Sequence, residues 1–192
     1  MVSDNLKIIG MKQQDKTNKT FELSLPAAVK FNEIVGHEMR IRRFQEDDRD
    51  EVVSLHRLAM ESAGGYIPGP WDKDFDSIQD TYLNGRGEFL VGEVDGKIIV
   101  MGALLPVDAE TAEVKRIRVS PAVQGQGLGQ KMLSTLEERA RELGFMHLKL
   151  DTLESNEAAS KLFSRNGYIQ VGSASFEGHK QLLFCKELGK GA

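Results

Sequence analysis

Between residues 39 and 188 the apolar positions follow two rhythms, every second residue and every third or fourth, and their order predicts the layout of the chain. "MRIRRF" (39–44) alternates and predicts a short strand. Asp48 with Glu51 three residues later has the form of a capping box, and Val52, Leu55, Ala59 and Met60 then share one helical face. "GGYIPGPW" predicts an irregular loop around Tyr66 and Trp71. Phe75, Ile78, Gln79 and Tyr82 follow at helical spacing, with Gly85 as the C-terminal cap.

The middle of the chain reads as β-structure. "EFLVGEV" and "KIIVMGALLPV" flank Asp95-Gly96, the signal of a tight hairpin. After a turn at Asp108 to Thr111, "AEVKRIRV" predicts a third strand, antiparallel to the second. Leu128, Met132, Leu133, Leu136, Ala140 and Leu143 form the inner face of a helix that Gly144 ends. "HLKLD" predicts the next strand and residues 156–166 the next helix. "YIQVGSAS" and "KQLLFCKEL", joined by "EGH", close the pattern as two strands. Strands of mixed direction with helices between them predict one layered α/β (α+β) domain.

Residues 1–38 follow neither rhythm. "KQQDKTNKT" (12–20) contains no apolar residue and adds nothing to a core, so residues 1–38 are read as an N-terminal extension, arm or tail, and 39–192 as the domain. A chain of 192 residues suffices for one well-buried domain.

Composition narrows the function. A formal net charge of −4 argues against a mainly electrostatic nucleic-acid binder. Cys185 is the only cysteine, which excludes an internal disulfide and a multi-cysteine metal site; its strand setting predicts a buried residue, and no metal is expected. No run reaches the roughly 18 apolar residues of a membrane span, and the N-terminus has no signal-peptide pattern. The expectation is a cytoplasmic protein without membrane or nucleic-acid partners.

The chemistry concentrates at "VSPAVQGQGLGQKML". Gly125, Gly127 and Gly129 lie directly after a predicted strand and directly before a helix. The dinucleotide fingerprint and the P-loop both require glycine at 130, where this chain has Gln130. What remains is their common physics: a turn free of side-chain bulk and a helix start whose N–H groups and dipole favour an anion. The alternative is a plain tight connection.

This segment resembles the acetyl-coenzyme A signature of the GNAT N-acetyltransferase superfamily, Gln/Arg-x-x-Gly-x-Gly/Ala, at Gln124, Gly127 and Gly129. "NEAASKLFSRNGY" resembles the family's second segment, and the element order from 39 to 188 resembles its fold. The resemblance implies a mixed, mostly antiparallel central sheet of six to seven strands flanked by about four helices. It implies acetyl-coenzyme A as cosubstrate, its pyrophosphate on the N–H groups of Gly125, Gln126, Gly127, Leu128, Gly129 and Gln130. Ile117, Arg118 and Val119 would lie along the pantetheine arm, which requires the strands at Val119 and Leu150 to splay. Arg116, Arg118 and Lys131 are candidates to neutralise phosphate, or are solvated surface charges. Asn156 would contact the cofactor, cap the next helix, or both.

Acetyl transfer to an amine needs a base, because a lysine-like amine with pKa about 10.4 is mostly protonated at neutral pH. Asp151 and Glu113 are the candidates, and His147 is a weaker helper on the same strand face as Asp151. The family implies a backbone N–H near Val119 to polarise the carbonyl. Many relatives carry a tyrosine acid seven residues after the motif asparagine, and here that cofactor-site position is Phe163, which has no proton to give. The acceptor pocket would come from residues 60–82 and the turn at 176–180, where Tyr66, Trp71, Asp72 and Asp74 would suit a cationic acceptor. The resemblance therefore implies an N-acetyltransferase acting by direct transfer in a ternary complex on a primary amine of a small molecule or protein. The alternative is an acyl-coenzyme A-binding sensor or interaction module with lost catalysis. A homodimer is compatible with either.

Overall fold

The computed structural model describes residues 38–64, 66 and 69–189; residues 1–37, three residues of the loop before Trp71 and residues 190–192 lie outside them. Seven strands form one sheet: β1 (Arg40–Arg43), β2 (Glu88–Val94), β3 (Lys97–Pro106), β4 (Thr111–Val119), β5 (His147–Leu153), β6 (Ile169–Phe176) and β7 (His179–Glu187). Their spatial order is β1-β2-β3-β4-β5-β7-β6. Every neighbouring pair is antiparallel except β4 with β5. The helices are α1 (Arg49–Ser62), α2 (Leu128–Glu142) and α3 (Glu157–Arg165), together with a helical segment of two parts, Pro70–Ser77 and Gln79–Leu83. The expected α+β architecture is present.

Local signals account for the connections. Asp95 and Gly96 both take positive φ, 52° and 74°, as the tight hairpin between β2 and β3 requires. The sheet is packed on both faces. Leu104, Leu133, Leu136, Phe145 and Leu148 form the core on the α2 side, and Val52, Ile78, Tyr82, Phe89 and Met101 the core under α1. Each such side chain contributes roughly 1.5–3 kcal/mol by leaving water. Gly102 lets α2 approach the sheet, since a Cβ there would stand 2.8 Å from Leu136 Cδ1 and 3.0 Å from Met132 Cγ.

Three expectations are corrected. Asp48 does not cap α1: its carboxylate takes two hydrogen bonds from Arg42, at 2.6 and 2.8 Å, and one from the Gln45 N–H at 2.8 Å, so it clamps β1 to the following turn. The hydrogen bonds from Arg42 hold its carboxyl below the ordinary range against the opposing effect of burial. The helix expected around Phe75 to Tyr82 is instead a 3₁₀ run followed by one wide π turn, closed by Asn84 N–H to the Gln79 carbonyl at 3.0 Å rather than by Gly85. Cys185 is exposed, because it shares a sheet face with Lys149 and with Ile169, itself 71% exposed, while the neighbouring Phe184 points into the core. Among the described residues no helix is long and apolar enough to cross a membrane.

Candidate active site

The parallel pair β4–β5 is short. Its register runs Thr111↔His147, Ala112↔Leu148 and Glu113↔Lys149 and then stops, so the remainder of β4 diverges from β5 and leaves an open edge. A β-bulge accompanies the divergence. Lys115 pairs with Ala103 and Arg118 with Met101, so β4 takes three steps where β3 takes two. Arg116 absorbs the extra residue with φ 57°, an uncommon conformation for a residue other than glycine. The splay expected between Val119 and Leu150 is thus present.

The open edge leads into the glycine turn. Gly125 and Gly127 both have φ 79°, where a residue with a Cβ is strained, and nothing stands within 4 Å of a Cβ at either position. Gly127 is the N-cap of α2, and no side chain caps the helix. Its carbonyl takes the first helical hydrogen bond from Lys131 N–H at 2.9 Å. Among the described residues the N–H groups of Gly127, Leu128, Gly129 and Gln130 have no main-chain acceptor. Free donors, an open space and the positive end of a 15-residue helix fit an anionic group such as a pyrophosphate. Gln124 Nε2 reaches the Val119 carbonyl at 3.3 Å, and the Gln130 amide exchanges hydrogen bonds with the Asn166 amide, tying the first turn of α2 to the end of α3.

The acid–base candidates share one sheet face beside the splay. The Glu113 carboxylate lies 3.2 Å from Lys115 Nζ and 3.6 Å from Lys149 Nζ. Asp151, one step further along β5 on the same face, has no hydrogen bond or ion pair within the described residues. It is exposed on the cleft side, yet the protein around it and then the Glu113 carboxylate raise its carboxyl above the ordinary range, against Lys115, Arg118 and Lys149. A carboxylate of raised pKa without a bound partner has the properties of a base. His147 is exposed, farther along the same face.

Past the bulge, the same face of β4 meets α1 and the Pro70–Leu83 segment through buried charges. Arg116 Nε donates to Asp74 Oδ2 at 2.8 Å, Nη2 to Asp74 Oδ1 at 2.5 Å, and Nη1 to Asp72 Oδ1 at 3.0 Å. Its guanidinium also lies over the Phe75 ring, 4.5 Å from the centroid. Tyr82 Oη donates to Asp74 Oδ2 at 2.5 Å. Burial works to raise the Asp74 carboxyl, but the Arg116 and Tyr82 hydrogen bonds hold it below its ordinary value. His56, on the inner face of α1, has Nε2 3.3 Å from Asp72 Oδ1. Burial first, then Arg118 and Arg116, press its pKa down to about 4, so the ring is neutral at physiological pH. Arg118 completes the group. Burial and then Arg116 bring its pKa down to about 10, which leaves it charged.

This assembly revises several expected roles. The Arg116 and Arg118 guanidinium groups face α1, and Arg116 is held by two carboxylates, so neither neutralises phosphate at the glycine turn. Asp72 and Asp74 do not offer free negative charge to a cation, because Arg116 engages both. Phe163 is 6% exposed, with its ring centroid 5.9 Å from those of Tyr168 and Phe184, so it packs the core rather than a cofactor surface. Asn156 caps α3, its Oδ1 accepting the Ala159 N–H at 3.1 Å. His56 was not singled out in the sequence; a polar residue on the apolar face of Val52, Leu55 and Ala59 was the available signal. Among the described residues no three His, Cys, Asp or Glu side chains converge as a metal site would require.

The sequence matches the acetyltransferase (GNAT) family model over residues 49–168. It is 26% identical over 151 residues to the uncharacterized N-acetyltransferase YjgM of Escherichia coli, covering 74% of this chain and 89% of that one. Human N-acetyltransferase 8 is 30% identical over 129 residues, 64% of this chain. The chain thus spans only 57% of the length of that relative. A GNAT acetyltransferase of Staphylococcus aureus superposes with a TM-score of 0.71 at 17% identity, over 79% of this chain and 99% of that one. The protein yncA of Salmonella typhimurium, solved with its cofactor acetyl-CoA, gives 0.67 at 21%, over 81% and 96%.

Proposed function

Because the chain belongs to the GNAT acetyltransferase family, we propose that it moves an acetyl group from acetyl-coenzyme A to a primary amine, by direct attack within a ternary complex. The observation that carries this reading is the β4–β5 splay opening onto the uncapped start of α2. Relatives named as N-acetyltransferases support nitrogen as the acceptor atom, and the Salmonella protein solved with acetyl-CoA supports the cosubstrate.

Each residue then has a physical task. The N–H groups of Gly125 to Gln130 hold the pyrophosphate. The open edge of β4 at Ile117, Arg118 and Val119 pairs with the amides of the pantetheine arm as a neighbouring strand would. Acetyl-coenzyme A supplies the activated thioester. Asp151 takes the proton from the acceptor ammonium, directly or through one water. Glu113 acts on Asp151 as a neighbouring negative charge and spaces Lys115 and Lys149; it is the second candidate base. A backbone N–H near Val119 polarises the acetyl carbonyl. Phe163 offers no proton to the departing sulfur, and a thiol with an ordinary pKa of about 8.5 leaves as thiolate without one.

The absence of a proton donor at Phe163 also favours a second reading, an acyl-coenzyme A-binding module without turnover. Calorimetric titration with acetyl-coenzyme A, coenzyme A and NADH, followed by thiol release with a panel of amines, tests both. The expected result is micromolar binding of the coenzyme A pair alone, lost in Gly127→Glu, together with turnover of at least one amine. Binding without turnover would favour the module, and no binding would remove both readings.

A further inference from the structure

The buried charges between α1, the Pro70–Leu83 segment and β4 do not close on themselves. Arg116 takes every close carboxylate contact that Asp72 and Asp74 provide to the two arginines. Arg118 takes none. Its Nη1 donates to the Ile117 carbonyl at 2.9 Å, its Nε is out of reach of solvent without an acceptor, and among the described residues no carboxylate comes within ion-pair distance of it. Beside it, both ring nitrogens of His56 and Oδ2 of Asp72 are also buried without hydrogen bonds. Four unsatisfied polar atoms thus gather on three elements at the cleft, where a fold normally leaves very few.

A partly buried guanidinium without a carboxylate in contact is costly, and a fold that retains one is suited to a ligand that supplies that contact. The neighbours do not supply it. Asp74 and one oxygen of Asp72 are engaged by Arg116, His56 is neutral, and Asp72, Asp151 and Asp74 act on Arg118 through the field alone, with no ion pair to it. We propose that Arg118 anchors a carboxylate of the acceptor, so that the amine acetylated here belongs to an amino acid or an amino-acid-like molecule. An α-amino acid places ammonium and carboxylate on one carbon. Its carboxylate meets the planar fork of Arg118 while its ammonium turns toward Asp151. A lysine within a protein chain, or a polyamine, brings no such charge.

The inference rests on the acetyl-transfer reading above and leaves its chemistry intact. Asp151 takes one proton from the ammonium, the neutral amine nitrogen forms a bond to the acetyl carbon, the carbon–sulfur bond breaks, the second nitrogen proton passes to water, and coenzyme A departs as thiolate. Arg118 binds and orients the acceptor and gives up no proton.

The test compares thiol release with the twenty common amino acids, their amides, spermidine, a lysine-containing peptide, and the aminosulfonate taurine. At least one amino acid should exceed its own amide in kcat/KM by roughly 10- to 100-fold, the range of a charge-assisted hydrogen-bonded pair. Arg118→Met should bring that amino acid down to the level of its amide, and Arg118→Lys should recover part of the difference. Acetyl-coenzyme A should titrate into both variants as into wild type, because only the backbone of Arg118 lies along the β4 edge. Calorimetric binding of the preferred amino acid to the coenzyme A complex should fall in parallel. Equal use of amide and acid, preference for spermidine or the peptide, or preference for taurine would each overturn the carboxylate assignment, and the wild-type comparison decides even if Arg118→Met fails to fold. Weaker acetyl-coenzyme A binding in both variants would also overturn it, by moving Arg118 to the cofactor. Failure of wild type to bind acetyl-coenzyme A would instead remove the underlying acetyl-transfer reading.

Discussion

On one flank of the β4–β5 opening, residues 124–130 present main-chain N–H groups and little side-chain chemistry; on the other, His56, Asp72, Asp74, Arg116 and Arg118 come from three elements and present side chains. The first flank is made by neighbours in sequence. The second joins residues 42 and 44 positions apart. A group that binds through backbone geometry needs only a turn with the right dihedral angles, and glycine spacing encodes that locally. A pocket that discriminates among acceptors needs charges held at fixed separations in low dielectric, and only packing supplies that.

The difference is open to direct attack, and the largest effect is expected on the side-chain flank. Arg116→Met leaves Asp74 and Asp72 buried without their counter-charge, the side chains of all three being at most 12% exposed. Breaking such a pair costs about 3–5 kcal/mol, read as a lower urea midpoint. A loss under about 1 kcal/mol would show that the charges are not the scaffold of this flank.

Next in size, Asp151→Asn should lower kcat about a hundredfold or more with no change in acetyl-coenzyme A affinity. A base works only when deprotonated, and the raised carboxyl places the acidic limb of the pH–rate profile above the usual aspartate range. That limb should vanish in the variant. If it persists, Glu113 becomes the base.

A pH effect separates the flanks again. The His56 pKa is about 4 in the fold against about 6.5 in the unfolded chain, so below pH 6.5 the unfolded state takes up the proton first. Stability falls as pH drops through the window from 6.5 to 4 and is unaffected by this group above it. Between pH 7 and pH 5 the loss is about 2 kcal/mol. His56→Phe should flatten that part of the curve in urea titrations at the two pH values, while Gly127→Glu should leave its slope unchanged.

The smallest effect is expected at the glycine turn. Gln130→Ala removes the tie to Asn166 on the surface and should weaken acetyl-coenzyme A binding less than about fivefold, with under about 1 kcal/mol of stability lost. A larger loss would mean that the backbone flank also depends on side chains.

The alternation of apolar residues, the Asp95-Gly96 turn and the glycine spacing made the strands, their connections and the α2 start legible, because each is a local property of a few residues. Cys185 and the segment at 75–82 depart from what their spacing predicts for one reason. Their burial and helical form depend on what covers them, and period alone does not reveal a neighbour. Arg116 and Arg118 read equally as phosphate partners or surface charges because charge is visible in a sequence and direction is not; the bulge at Arg116 sets the direction.

The sequence by itself determined that a strand enters a bulk-free turn and leaves as a helix with free N–H groups, since dihedral preference and hydrogen-bond periodicity act over a few residues. Only the tertiary structure decided that β4 and β5 separate after Glu113, that Arg116 takes the ion-pair contacts of Asp72 and Asp74, and that Arg118 is left partly buried without one. Those outcomes are set by which surfaces exclude water from which charges, and that is fixed when α1 and the Pro70–Leu83 segment pack against β4.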